Sequence, residues 1–333
     1  MPRHGGRTRE VTPMYTLFPA QLTLAWERAA YLFLLLMFYS FAGWCGEMVY
    51  CSIGQRKLCE KRGFLNGPIC PIYGHGALVV LIVLRGGCES PVATFFLGAL
   101  LTSAVEYITS YAMEKLFHMR WWDYSRYRFQ LNGRICLLNS SLFGLASVVL
   151  CHGIGPAVSE GVLRLFAAGA ALPLAAVLAV LYVSDIVVSV RSAIQIGQRL
   201  EKLHAVHDEL AAKLDALKEE SRQAMLDQRE KLGTSLTSAR QTASEKAGRA
   251  AQALHARLEP LGELGDALNG RLDAAKAEAQ QKLQRLYDGQ GFFERRLLRS
   301  YPALRSPKYG DALKKLREHL ESRKKYGIQT VSY

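Results

Sequence analysis

The chain has 333 residues, half of them apolar, with 42 Lys and Arg against 29 Asp and Glu. The net charge of +13 is shared by two unlike halves. Residues 1–190 hold 15 basic and 10 acidic side chains (+5), and residues 191–333 hold 27 and 19 (+8). A hydrophobic body followed by a charged, water-seeking tail excludes an ordinary soluble globule. The seven cysteines include no CxxC pair and no Cys/His spacing suited to zinc, which excludes a disulfide framework and gives no reason to expect a metal, haem or other cofactor.

In chain order, residues 1–29 form a basic N-terminal segment with Arg3, Arg7, Arg9 and Arg28. The apolar run after it is too long for the core of a signal peptide and contains Glu47, so it reads as a retained membrane helix. Five runs are candidates to cross a bilayer, at roughly 30–54, 72–84, 91–112, 135–151 and 165–190. The second is short unless it borrows RGFLNGPICPIYG, residues 62–74, a stretch crowded with helix breakers. Two readings are open: a broken or re-entrant segment at membrane depth, or a tight turn at the surface with Pro68 or Pro71 opening an ordinary helix. Arg56, Lys57, Lys61 and Arg62 lie in one loop, and Lys115, Arg120, Arg126, Arg128 and Arg134 in another, whereas the alternate loops offer Arg85 and Arg164. The positive-inside rule therefore puts both basic loops and the tail in the cytoplasm, with the N-terminus outside. The N-terminal arginines oppose this, and a six-crossing or inverted arrangement is the alternative.

An internal repeat runs through this body. FLNGPIC at 64–70 recurs as QLNGRIC at 130–136, each at the entrance of an apolar run. Glu47 in GWCGEMVY and Glu106 in SAVEYITSY precede them, and Gly74 and Gly144 follow. Halves of about 30–84 and 91–151 would then be parallel, related by an axis along the membrane normal, with the helix of 165–190 outside the repeat. Glu47 and Glu106 fall in the cytoplasmic part of inward-running helices, and Asn66, Asn132 and Arg134 enter from the same side. Intramembrane carboxylates face the bundle interior, pair, or line a path. Arg134 is the nearest cation, a partner for Glu106 or Glu47. Such a pair is either structural or part of a polar cavity for a substrate or coupling ion. Tyr73 and His75 belong to the same candidate path, although His75 also reads as a structural or headgroup-level histidine; Asp185, late in the fifth run, ranks lower.

The loop WWDYSRYRFQLNGR sets Trp122, Asp123, Tyr124 and Ser125 among Arg120, Arg126 and Arg128. Its tryptophans suit the membrane interface, with arginines meeting anionic lipid; a docking surface for a cytoplasmic subunit is the other reading. GWCGEMVY with RGFLNGPICPIYG, and WWDYS with LNGRICLLNSSLFG, resemble the bacterial membrane family named ABC-transporter type IV, the CmpB-type proteins, over about residues 30–190. The matching positions are Gly43, Trp44 and Glu47; Arg62, Gly63, Phe64, Asn66, Gly67, Pro68, Cys70, Pro71, Tyr73 and Gly74; then Trp122, Asp123, Tyr124, Ser125, Asn132, Gly133, Arg134, Ile135, Cys136 and Ser141. Lys61 departs from the Asn of that pattern. The resemblance implies a polytopic protein of the bacterial inner membrane with a permease role.

Residues 191–333 read as a cytoplasmic amphipathic tail. Leu200, Leu203, Leu210, Leu214 and Leu217, with His207 between them, follow heptad-like steps. Pro260 is expected to end or kink the helix, a second amphipathic stretch covers about 262–287, and DALKKLREHLESRKK forms a short basic helix. With neither an aromatic stacking platform nor a binding motif, the positive tail points away from nucleic acid. GxxxxGK[ST], GxSxG and HExxH are all missing, so the chain carries no nucleotide-hydrolysis or hydrolase motif of its own. The expectation is an all-α polytopic membrane protein of about five transmembrane helices with a coiled-coil-like tail: a permease component working with membrane lipids, a separate ATP-binding subunit and a second copy through the tail. The alternative is a non-transporting scaffold or regulator that recruits partners through its tail.

Overall fold

The structure, a computed structural model, describes residues 19, 21–55, 63–84, 90–242 and 247–325. The basic positions Arg56, Lys57, Lys61 and Arg62, the N-terminal arginines Arg3, Arg7 and Arg9, and Arg85 lie outside the described residues. Each apolar run of the first half becomes helix because its backbone polar groups have no other way to be satisfied in lipid. The helices are α1 (Ala25–Gln55), α2 (Pro71–Leu84), α3 (Pro91–Phe117), α4 (Leu137–Val149), α5 (Gly155–Ala167) and α6 (Ala171–Thr242), followed by α7 (Ala247–Asp288), α8 (Phe292–Ser300) and α9 (Gly310–Lys325). One π-helical turn, Leu150–Ile154, joins α4 to α5.

Four of these stretches are long and apolar enough to span a membrane: Ala25–Ile53, Pro91–Phe117, Leu137–Ala167 and the start of α6. α2, at 14 residues, reaches only about 21 Å at 1.5 Å per residue, short of a hydrocarbon core of about 30 Å. Pro71 is its first residue, and Gly63–Cys70 ahead of it is irregular. The fourth run, expected over 135–151, continues to Ala167. His152, Glu160 and Arg164 dilute its hydropathy without breaking the helix, since Glu160 and Arg164 pair one turn apart on an exposed face. The chain turns at Gly169, whose φ of 71° suits a residue without Cβ, and the fifth crossing starts at Ala171 instead of 165.

The first unit comprises residues 1–197 together with 291–313. Its apolar core joins Tyr31, Leu35 and Tyr39 of α1 with Val80, Leu81 and Leu84 of α2, Leu150 and Cys151 of the π turn, Val162 of α5, and Ala171 and Ala175 of α6. Close helix approach depends on small residues, as is usual in membranes. A Cβ on Gly74 would collide with Ser40 Oγ and the Leu36 carbonyl, and one on Gly144 would come within 2.8 Å of the Phe95 carbonyl. The second unit comprises 198–290 and 314–333. There α7 returns antiparallel to the distal part of α6, as the pairing Glu209–Lys282, Lys213–Glu278 and Glu220–Arg271 requires. Leu200 and Leu203 are buried, and Arg199 donates to the carbonyls of Leu286 and Gly289 at 2.6 and 2.7 Å, closing the C-terminal end of α7. α7 does not end at Pro260, where the sequence suggested a break.

Gly74→Ala is expected to destabilise the protein by about 1–3 kcal/mol, the usual cost of overpacking, read as a lower thermal midpoint in detergent. Gly46→Ala, in the neighbouring helix where an added Cβ meets nothing within 4 Å, should leave the midpoint unchanged.

Candidate polar site at the loop end of the membrane unit

The irregular segment ahead of α2 leaves backbone groups that no helix satisfies, and each needs a partner. The amides of Asn66 and Gly67 donate to the Asp185 carboxylate of α6 at 2.8 and 2.7 Å. Asn66 Nδ2 adds a bond to Asp185 at 2.7 Å and another to Ser189 at 3.1 Å. On the carbonyl side, the Arg296 guanidinium of α8 donates to Gly63, Phe64 and Leu65 at 3.1, 2.9 and 2.5 Å. Asp185, ranked low from sequence, is thus an anchor, and Arg296 gave no sequence signal. Only the run of successive free amides and carbonyls implied by two prolines and three glycines hinted that a carboxylate and a guanidinium were needed.

The second Asn-Gly pair is used differently. Gln130–Leu131 and Ile135–Cys136 form a two-stranded antiparallel hairpin whose turn holds Asn132 at φ 53° and Gly133 at φ 68°, the positive values a tight primed turn demands. The hairpin folds Arg134 back along α3. Its guanidinium pairs with Glu114 at 2.8 Å, bonds Ser110 at 3.2 Å and lies over the rings of Tyr107 and Tyr111. This corrects the expectation of a bond to Glu106 or Glu47: Glu114, at the charged end of α3, is the carboxylate the hairpin can reach, and Arg120 joins it at 3.1 Å. Asn132 Nδ2 donates to Tyr107 Oη at 3.0 Å, not to a carboxylate.

Glu47 and Glu106 each receive a phenol. Tyr73 of α2 donates to Glu47, and Tyr124 of the loop donates to Glu106 Oε1 at 3.0 Å. Glu106 is 4% exposed and its other oxygen is buried with no hydrogen-bond partner. Glu47 is half-buried. Burial first, and then the Glu106 carboxylate, push the Tyr124 hydroxyl above its ordinary value, so it remains a donor. His75 is exposed, with Nδ1 2.7 Å from the Pro71 carbonyl, and stands apart from this cluster.

The WWDYS loop is tied together and then covered. Trp122 Nε1 donates to the Arg134 carbonyl at 3.0 Å, the Tyr124 amide donates to Gly133, and Asp123 accepts from the Ser125 amide and hydroxyl at 3.0 and 2.5 Å. The segment after α8 lies on this loop. Tyr301 meets the Trp121 ring edge-on, Arg305 exchanges backbone bonds with Arg120, and its guanidinium reaches Asp123 at 2.6 Å. For Asp123, burial raises the pKa, but the Ser125 bonds, Arg305 and Arg120 outweigh it and hold the carboxyl below the usual aspartate range. Among the described residues, no group of three or more His, Cys, Asp or Glu is disposed to hold a metal ion.

These features define a polytopic helical membrane protein with a carboxylate and tyrosine cluster at the loop end of its bundle. Residues 34–190 match the model of the family described as "Putative ABC-transporter type IV". The match covers the membrane body and leaves the tail from residue 191 onward outside it. No curated protein and no solved structure matches the chain.

Two outcomes test this geometry. Arg296→Ala should strip three carbonyls of their partner and speed hydrogen exchange at 63–67, at a cost of about 1–3 kcal/mol; Arg299→Ala, on the exposed face of α8, should not. Because the folded Asp123 pKa is depressed, its contribution to holding the 291–313 segment is present above the unfolded aspartate value and lost as pH falls through the lower folded one. Proteolytic release of that segment should therefore rise only in acid, and Asp123→Asn should show the release at neutral pH as well.

Proposed function

We propose that the membrane unit is the permease component of a transporter in the bacterial inner membrane, working with a separate ATP-binding subunit. The observation that carries the reading is the convergence of Glu47 and Glu106, each with its own tyrosine, inside a bundle whose sequence resembles ABC-transporter permeases. The chain carries no Walker A motif, so a partner must supply ATP.

A parallel repeat underlies the path. Gly74 packs on the carbonyl of Leu36, eleven residues before Glu47, and Gly144 on the carbonyl of Phe95, eleven residues before Glu106. The same glycine contact at the same spacing from the same acid supports two related halves, with α6 added outside them. The tail is cytoplasmic: residues 291–313 bind both the 63–67 segment and the 118–134 loop, so all three lie at one end of the bundle, the end the loop arginines put inside. Lipid surrounds the exposed apolar faces of α1, α3 and α6.

A second reading has its own observation. The antiparallel α6 and α7 pair, laced by three interhelical ion pairs, is a coiled-coil-like arm of the kind that recruits partners or a second copy, and a scaffold or regulator needs nothing more.

Purification of the intact protein from native membranes in mild detergent tests the choice. The permease reading expects a stoichiometric ATP-binding subunit with ATPase activity, and expects Glu47→Gln and Glu106→Gln to abolish transport while leaving folded protein in the membrane. Recovery alone and without ATPase activity, or normal transport by both variants, overturns it.

A further inference from the structure

We propose that Glu106 is a proton-binding site that carries its proton in the resting state, with Tyr124 fixing the carboxyl group. As a coupling site it rests on the permease reading; as a proton site it rests on geometry alone.

Glu106 is buried to within 4% and has a single hydrogen-bond donor, Tyr124, on one oxygen, while the second oxygen has no partner. An ionised carboxylate under those conditions would lack both the donors and the countercharge that a buried charge needs. The cations nearest in sequence are committed elsewhere: Lys115 lies over the Tyr111 ring at 5.6 Å, Arg120 engages Glu114 and the Asn132 carbonyl, and Arg134 engages Glu114 and Ser110. The surrounding elements supply no substitute. α1 presents Glu47, α2 presents Tyr73, the loop presents Tyr124, and the hairpin strand Ile135–Cys136 presents Cys136 beside Tyr124; α4, with the sequence LLNSSLFGLASVV, contains no ionisable side chain.

Glu47 does not supply the missing countercharge, because it is itself an acid, held by the Tyr73 hydroxyl. Neutralising Glu106 replaces a buried, unpaired charge with one buried hydroxyl, a far smaller cost. Release balances simply: the Glu106 carboxyl loses H⁺ and a carboxylate remains.

Infrared difference spectroscopy on the full-length protein in lipid nanodiscs, stepped in pH, tests the assignment without any transport assay. The expected result is a protonated-carboxyl C=O band at neutral pH that shifts in D₂O, disappears in Glu106→Gln, and is displaced in Tyr124→Phe. The Tyr124→Phe displacement keeps the test decisive if Glu106→Gln does not fold. A wild-type spectrum with no such band at neutral pH, or the same band in Glu106→Gln, overturns the proposal. So does loss of the band on adding sodium at constant pH, which would make the unpartnered oxygen a cation ligand. A band that behaves as expected in a protein that moves no substrate would sink the permease reading and leave the proton site standing.

Discussion

The structure of the membrane unit depends on the need to satisfy five consecutive residues of irregular backbone, Gly63 to Gly67. An unpaired amide or carbonyl away from water costs several kcal/mol, and here five such groups arise together because prolines and glycines forbid a helix. Their partners come from places distant in sequence. Asp185 reaches the amides from α6, and Arg296 reaches the carbonyls from α8. One irregular stretch thereby fixes α6 against the entrance of α2 and draws the chain back to the loop end of the bundle after it has left over residues 198–290.

That return changes what the tail is. Residues 291–313 bind the 63–67 segment through Arg296 and the WWDYS loop through Tyr301 and Arg305, while Leu297, Leu298 and Leu304 are buried. The arginine bonds are charge-assisted and several share one partner segment, so they act together, unlike isolated surface pairs of the α6 and α7 arm that are worth about 0–1 kcal/mol each. A loop that reads in sequence as open to lipid or a subunit is thus partly covered by the chain itself.

Much of the bundle was legible because its signals are local. Apolar length marked the long helices, and the Asn-Gly recurrence marked the two places where the chain leaves regular helix. Glu47 and Glu106 could be paired in thought because they sit at equivalent steps of a repeat; their phenol partners could not, because Tyr73 and Tyr124 come from elements of different kinds, a helix and a loop. Arg134 was misassigned for the same reason. Without the hairpin of 130–136, nothing in the sequence says that this arginine folds back along α3 to Glu114. The extension of the fourth crossing to Ala167 was hidden by Glu160 and Arg164, which lower mean hydropathy but pair on the helix surface.

The misassignment of Arg134 matters for mechanism more than for fold. Had it met Glu106, the bundle would contain a neutralised ion pair, with both groups permanently charged and little reason to titrate. By engaging Glu114 instead, the arginine stabilises the end of α3 and the hairpin while leaving Glu106 without a countercharge. The same protein that supplies Asp185 with four backbone and side-chain donors supplies Glu106 with one. Equal chemistry in unequal surroundings gives the two carboxyls different work: Asp185 holds irregular backbone in place, and Glu106, with one donor and no countercharge, is the group left to carry a proton.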